Sequence, residues 1–204
     1  MHGLMNRAVQ DFLTVTYGEA AWRSIAAEAG VPERGFEALL TYDDALIGVV
    51  LRVASRRLRK RSSDLLEDMG TFLVSHPRME RVRRLLRFGG SDFDDFLQSL
   101  EDLPARAELA LPTLDAIPRF VLRDDGRGRF LLTATYAIPG ISHIMMGALR
   151  AIADDYGALV LIEAVEPAEG RPDDGESVRI TLSLADFRAG RGFDLAGSGE
   201  GRGG

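Results

Sequence analysis

The chain has 204 residues, of which 46% are hydrophobic and 27% are charged, and its formal net charge is -6. This profile is typical of one globular domain with a buried core, and it excludes both a disordered chain and a strongly basic nucleic-acid-binding protein. The absence of cysteine excludes disulfides and thiolate ligands and favours a reducing compartment, so we expect a cytoplasmic protein without a membrane-spanning segment.

The first 110 residues carry apolar side chains at helical spacing, interrupted by glycines and capping residues. Two short helices are followed by a third that begins at Asp43 or Asp44, a fourth with a serine cap over residues 62–76, and a fifth over residues 93–111. Pro104 interrupts this fifth helix. A proline in a helix interior costs about 3 kcal/mol, so its presence there calls for an explanation.

After Pro118 the pattern changes to short runs rich in β-branched and aromatic residues. The predicted order is two strands, a helix and two strands, over residues 119–124, 129–136, 141–157, 158–165 and 177–184. We therefore predict an α+β fold, in which a helical N-terminal subdomain packs on a C-terminal antiparallel four-stranded sheet with its helix. The domain should span residues 1–188, and the glycine-rich residues 189–204 should be disordered.

Few residues indicate a metal or catalytic site. The three histidines, His2, His76 and His143, are isolated from one another, and neither their spacing nor a cysteine completes a metal set. The sequence also has no nucleophile elbow and no assignable catalytic triad. We therefore predict neither a metal site nor enzymatic activity.

Basic residues are concentrated between residues 52 and 87, where 11 of the 25 lysines and arginines lie. They alternate with aliphatic residues in helical segments, and the acidic residues Asp92, Asp94 and Asp95 follow closely. This pattern predicts a solvated face paired with those acids rather than a nucleic-acid site. A protein contact surface remains open.

Several motifs occur in the order of one known family. They are the N-terminal Met1-x-Gly3, Tyr17-Gly18, Trp22, Tyr42-Asp43-Asp44 and the stretch LLRFGGSDFDDFLQSLEDL before Pro118. Together they resemble the H-NOX family, the haem nitric oxide/oxygen-binding domains of bacteria and of soluble guanylate cyclase. The resemblance implies a haem b between the helical and sheet parts, one iron-ligating histidine, and a Tyr-x-Ser-x-Arg motif that grips the propionates.

Both of these cofactor anchors are altered here. The ligating histidine should follow LEDL, where Pro104 stands, and proline has no lone pair to offer iron. Aligned on Gly147, the Tyr, Ser and Arg positions fall on Ala134, Tyr136 and Ile138, and no neighbouring register restores the motif. The propionates would therefore lack the bidentate arginine contact.

The resemblance also assigns a pocket. Pro104 takes the position of the lost haem ligand, and the lining would be Met5, Phe72, Leu97, Leu100, Pro118, Ile144 and Gly147. His143 lies near this lining and could ligate a haem from the other face, although a partly exposed helix histidine is the preferred interpretation.

Three functions follow as hypotheses. The family expectation is a signalling sensor or regulatory domain that detects nitric oxide or oxygen through haem and acts on a histidine kinase or a cyclic-nucleotide enzyme. The second is a haem-free module for protein interaction or dimerisation, which includes a homodimer. The third is a binder of another apolar ligand in the former haem pocket. No nucleic-acid or membrane partner is expected.

Overall fold

A computed structural model describes residues 3–32, 34–37, 40–86, 90–110, 117–136, 139–165 and 175–183. The predicted tail, residues 189–204, lies outside the described residues. The helices of the described part are α1 (Gly3–Tyr17), α2 (Glu19–Ala29), α3 (Asp44–Leu58), α4 (Ser62–Ser75), α5 (Glu80–Leu86), α6 (Phe93–Gln98), α7 (Leu103–Ala110) and α8 (Ile141–Asp155). Short 3₁₀ turns, Pro77–Met79 and Ser99–Asp102, precede α5 and α7.

Several helix ends follow local sequence signals. Gly30 adopts the left-handed conformation, with φ 73°, and its N–H bonds back to the last turn of α2. The Asp43 carboxylate accepts a 2.8 Å hydrogen bond from the backbone N–H of Ala45 and so begins α3. Among the described residues, no helix combines the length and apolar character that crossing a bilayer requires.

The predicted serine cap of α4 is wrong. Arg61 occupies the N-cap position, and Ser62 is already helical, with no side-chain hydrogen bond capping this end. The reason lies in the short link from α3: Arg59 adopts φ 52°, and the Ser55 hydroxyl bonds to the Lys60 carbonyl at 2.6 Å. This link leaves Arg61 as the last non-helical residue before α4.

The four strands form one antiparallel sheet. They are β1 (Arg119–Gly126), β2 (Arg129–Thr135), β3 (Val160–Val165) and β4 (Glu176–Leu182), in the order β1-β2-β4-β3. The β1–β2 hairpin pairs Leu122 with Leu132, and left-handed residues from Gly126 to Gly128 close its turn. The predicted α+β fold is confirmed.

Helix α8 joins the sheet to the helices. Phe130, Leu132, Val178 and Ile180 bury one face of the sheet, and α8 packs against β2, β3 and β4. Helix α8 also packs against α4, and this is the most extensive helix–helix contact of the described part. One continuous apolar core therefore includes both halves of the chain.

Several described residues of the basic window pair with acids other than those expected. Arg56 and Arg57 bond to Glu28 at 2.8 and 2.6 Å, and Lys60 bonds to Asp68 at 2.5 Å. The acids that we expected as partners have other roles, because Asp92 caps α6 and Asp95 accepts from Ser91. The contacts with Glu28 thus join α3 to α2, while Lys60 bonds to the helix that follows it.

Candidate functional site

Pro104 is the second residue of α7 and is half-buried. In a continuous α-helix the Leu100 carbonyl would accept from the N–H of residue 104, which proline lacks. Here the N–H of Leu103 donates to the Leu100 carbonyl instead, within the 3₁₀ turn Ser99–Asp102. The chain therefore tightens by one turn ahead of Pro104, and the predicted helix over residues 93–111 becomes two helices joined by that turn.

Two polar side chains hold this turn in place. Arg106 donates from Nη2 to the Ser99 carbonyl at 2.7 Å. The Glu101 carboxylate accepts a 2.9 Å hydrogen bond from the backbone N–H of Leu122 on the edge strand β1. Glu101 thus ties the turn to the sheet, while the guanidinium of Arg106 offers no lone pair to a metal.

Five of the seven residues assigned to the pocket lining are buried, Gly147 and four with apolar side chains. The exposed fraction is 0% for Leu97, 4% for Leu100, 6% for Phe72 and 8% for Ile144. A side chain that faced an open space large enough for a porphyrin would keep accessible surface. These four are therefore enclosed by protein atoms, and Phe72 packs edge-on against Phe12, with ring centroids 5.6 Å apart.

The other three lining residues have different surroundings. Met5 and Pro118 are half-buried, and Met5 packs against the core. Gly147 lies where α8 crosses α4: a Cβ there would collide with the Glu67 carbonyl. The Thr71 hydroxyl reinforces this crossing with a 3.2 Å hydrogen bond to the Gly147 carbonyl. The structure thus places Gly147 in a helix–helix contact.

A carboxylate lies beside the second anchor. Ala134 on β2, the position that the resemblance gives to the clamp tyrosine, pairs with Glu176 on β4. The Glu176 carboxylate accepts from the backbone N–H of Gly140 at 2.6 Å, and from the N–H and hydroxyl of Ser142 at 3.0 and 2.6 Å. It therefore caps the N-terminus of α8, where the helix dipole favours negative charge.

The surroundings of Glu176 also set its protonation. Partial burial by itself would raise the pKa of this carboxyl group, because burial disfavours the charged form. Hydrogen bonds from Ser142 and Gly140, together with the nearby His143, outweigh burial and lower the pKa of Glu176 below its ordinary value. A negative group thus lies beside the strand where haem propionates would require positive charge.

The described histidines contact side chains of the helical part. The Nδ1 atom of His76 accepts from the Arg78 backbone N–H at 3.2 Å, and its ring stacks on Phe72 at 4.5 Å. The Nδ1 atom of His143 lies 3.6 Å from the Glu67 carboxylate on α4. His2 lies outside the described residues. Within the described part of the chain, no three acidic or histidine side chains converge as a metal site would require.

Sequence reasoning missed Glu176 and Arg106. Glu176 is 36 residues from the Gly140 amide that it caps, and Arg106 reaches a carbonyl seven residues back. Neither contact has a local motif, since capping signals are recognised only within a few residues of a helix end. Only the folded arrangement brings these groups to their partners.

The family model for Haem-NO-binding domains matches residues 2–164. The chain belongs to this H-NOX family. Its fold is similar to that of a variant of the T. tengcongensis H-NOX protein, with a TM-score of 0.73 at 16% identity, over 92% of this chain and 100% of that one. The Fe(II)NO form of the S. oneidensis H-NOX protein gives 0.71 at 15% identity, over 90% and 100%.

Curated relatives are longer proteins. The H-NOX chain is 22% identical to soluble guanylate cyclase gcy-31 of Caenorhabditis elegans over 167 residues, and this match covers 81% of the chain. It is 20% identical to soluble guanylate cyclase 89Db of Drosophila melanogaster over 159 residues, and this match covers 78% of the chain. In both cases the match spans 24% of the relative. H-NOX domains are sensor domains and are not themselves catalytic.

The residues of this H-NOX domain do not fit a haem that is held in the family's manner. Pro104 and its neighbour Arg106 provide no lone pair for iron, and Glu101 already bonds to β1. At the position where the family grips the propionates, Ala134 has no polar side chain, and its neighbour Glu176 is negative. Both anchors thus disagree with the cofactor in their chemistry.

Proposed function

We propose that this H-NOX domain is a signalling regulatory domain that works without an axially ligated haem and acts through contacts with other protein chains. The observation that carries the proposal is Pro104 at the start of α7, where the resemblance places the iron ligand. A ligand-driven switch needs an iron–ligand bond whose state changes. Without the ligating side chain, that bond cannot form at this position.

The packing of the domain supports the proposal. Leu97 and Leu100, which precede Pro104, are enclosed by protein atoms. The α8 helix is held by Glu176 at its N-terminus and by α4 at the Gly147 crossing. These residues belong to one continuous apolar core that protein side chains build.

The partner is proposed by class. The family resemblance points to a signalling protein such as a histidine kinase or a cyclic-nucleotide enzyme, and the curated relatives carry the name guanylate cyclase. A second copy of the chain is a further candidate partner. We propose a cytoplasmic location, because the absence of cysteine favours a reducing compartment.

A hemin titration tests the proposal. The purified chain should show no sharp Soret band, and nitric oxide should not change its visible spectrum. Pro104→His alone should not restore tight binding, because the propionate clamp is also missing. A variant that combines Pro104→His with Ala134→Tyr, Tyr136→Ser and Ile138→Arg should bind more hemin than the single variant. Stoichiometric hemin bound to the wild-type chain would refute the proposal.

The family expectation remains the second candidate function. The match over residues 2–164 favours haem-dependent sensing of nitric oxide or oxygen. The same titration separates the two functions, since a Soret band that shifts with nitric oxide in the wild-type chain would support haem sensing. Pro104→Ala serves as the matched control for Pro104→His, because it removes proline without adding an imidazole.

A further inference from the structure

The outer face of the sheet is exposed and rich in arginine. Helix α8 packs on the inner face, which is formed by Phe130, Leu132, Val178 and Ile180. The alternate residues of each strand therefore lie on the outer face. Two large apolar side chains remain exposed there, 62% for Val121 and 57% for Leu161. The charged residues of this basic face are the arginines Arg119, Arg123, Arg129 and Arg179 and the acids Asp125 and Glu163.

Most of the arginines on the basic face have no acidic partner. In the described part of the chain, their one ion pair joins Arg123 to Asp125, with Nε and Oδ1 2.8 Å apart. The hydrogen bond from Arg123 lowers the pKa of Asp125 below its ordinary value, and the positive charges of Arg129 and Arg179 act in the same direction. One carboxylate thus lies among three guanidinium groups, so an excess of positive charge remains on this face.

A second surface, of opposite charge, is formed by residues 92–102, which comprise α6 and the 3₁₀ turn after it. This acidic segment contains no basic residue and five acidic ones, Asp92, Asp94, Asp95, Glu101 and Asp102. The residues between them are buried in the core, so the acids share the solvent side. Among the described residues none of the five forms an ion pair, and the hydrogen bonds that they accept come from neutral groups such as Ser91 and Gln98.

The two surfaces are adjacent along β1. This strand is at one edge of the sheet, and its Leu122 N–H donates to the Glu101 carboxylate at 2.9 Å. The acidic segment therefore lies beside the strand that carries Arg123 and Val121 on its outer face. The same bond occupies a donor of the edge, so another strand cannot pair there without displacing Glu101. An interface at this edge would therefore be formed by side chains.

We propose that two copies of this chain form a dimer, in which the basic face of each copy contacts the acidic segment of the other. Because the two oppositely charged surfaces are adjacent, a two-fold rotation about an axis near β1 brings each surface onto its complement. Val121 adds an exposed apolar side chain at the same place. The inference rests on the part of the proposed function that assigns contacts between chains. The hemin titration tests the other part, so either can fail without the other.

Analytical ultracentrifugation of the wild-type chain tests the dimer. At low salt the mass should approach twice the 22.3 kDa of one chain as the protein concentration rises. The dissociation constant should increase at least about tenfold between about 50 and 500 mM NaCl, because salt screens the charges. A chain that stays monomeric at millimolar concentration, or a dimer that salt leaves unchanged, would refute the proposal. Monomers that sediment with phosphatidylserine vesicles would assign the basic face to a membrane instead.

Charge reversal tests which surfaces meet. The double variant Arg129→Glu, Arg179→Glu should weaken the dimer at least about tenfold, because two acidic surfaces then face each other. The double variant Asp94→Lys, Asp102→Lys should have the same effect, because two basic surfaces then meet. An equimolar mixture of the two double variants should form a heterodimer, since opposite charges face each other again in both contacts. A mixture that remains monomeric would overturn the assignment.

The matched control is Arg23→Glu with Arg52→Glu, which makes the same change of charge at exposed positions on α2 and α3. Both positions lie outside the basic face and the acidic segment, so this variant should dimerise like the wild type. Thermal unfolding confirms that each variant is folded. If the control loses the dimer as fully as the Arg129→Glu, Arg179→Glu variant does, net charge rather than the basic face determines association, and the proposal is wrong.

Discussion

At the scale of single residues, Glu176 is the clearest case of a side chain that stabilises a distant element. Its carboxylate accepts three hydrogen bonds at the N-terminus of α8. A glutamine in its place would lose the negative charge, and its NH₂ group would face one of these donors. We predict that Glu176→Gln lowers the free energy of unfolding by about 1–2 kcal/mol at pH 7. Urea unfolding of both proteins measures this difference.

The destabilisation caused by Glu176→Gln should decrease as the pH falls. The folded state lowers the pKa of Glu176, so its carboxylate stabilises the fold above the unfolded-state pKa of about 4.3 and loses this effect as the pH falls through the folded-state pKa. The difference between wild type and variant should therefore be full at pH 7 and narrow below about pH 4. Glu108→Gln on the exposed surface of α7 is the control. A difference that grew on acidification would contradict this role.

Residues also show what the sequence could and could not predict. Asp43 could be predicted as a cap because the amide that it binds is two residues away. Glu176 could not, because its partners are brought to it by the sheet. The change at Pro104 could be read from the sequence alone, since it depends on residue type. The negative charge near the other anchor depends on strand pairing and required the structure.

At the scale of elements, the crossing of α4 and α8 depends on two glycines. A Cβ at Gly70 would collide with the Ile144 carbonyl, and one at Gly147 with the Glu67 carbonyl, so the two helix backbones are in direct contact. This contact could not be predicted from the sequence, because both glycines lie inside helical patterns, where glycine is only a weak helix former. The role of the two glycines becomes visible only when the two helices are seen packed together.

We predict that Gly70→Ala lowers the free energy of unfolding by about 3 kcal/mol, because the helices must separate to admit the methyl group. Gly48→Ala is the matched control inside α3, where the new Cβ would meet only the flexible end of Arg52 at 3.4 Å. That change should raise stability by about 0.5–1 kcal/mol through helix propensity. Chemical denaturation compares the two variants, and equal effects would contradict the crossing.

Elements also differ in how well their patterns could be read. The strands and long helices follow from hydrophobic periodicity, and most are found within a few residues of their predicted bounds. Helix α5 was predicted only as part of the helical basic window over residues 52–87, without bounds of its own, because it is short and rich in arginine. The contact of α5 with α8 required the structure, since Arg83 bonds to Asp155, which is 72 residues further along the chain.

At the scale of the whole molecule, the helical and sheet parts share one core through α8. This helix contacts the sheet on one side and α4 on the other, and buried side chains run without a break from Val9 on α1 to Ile180 on β4. Elements that share buried apolar surface unfold together, because exposing either part leaves the other without its packing partner. The two halves are therefore expected to form one cooperative unit.

We predict that the described helices and sheet unfold in a single transition. Trp22 is the only tryptophan of the chain, is 4% exposed and packs near Phe36 on the helical side, so its fluorescence reports on that part alone. Amide hydrogen exchange of β2 and β4 reports on the sheet. Both probes should give the same free energy of unfolding in urea, and Gly70→Ala should lower both values equally. A tryptophan midpoint separated from loss of protection in the sheet would show that α8 does not couple the two parts.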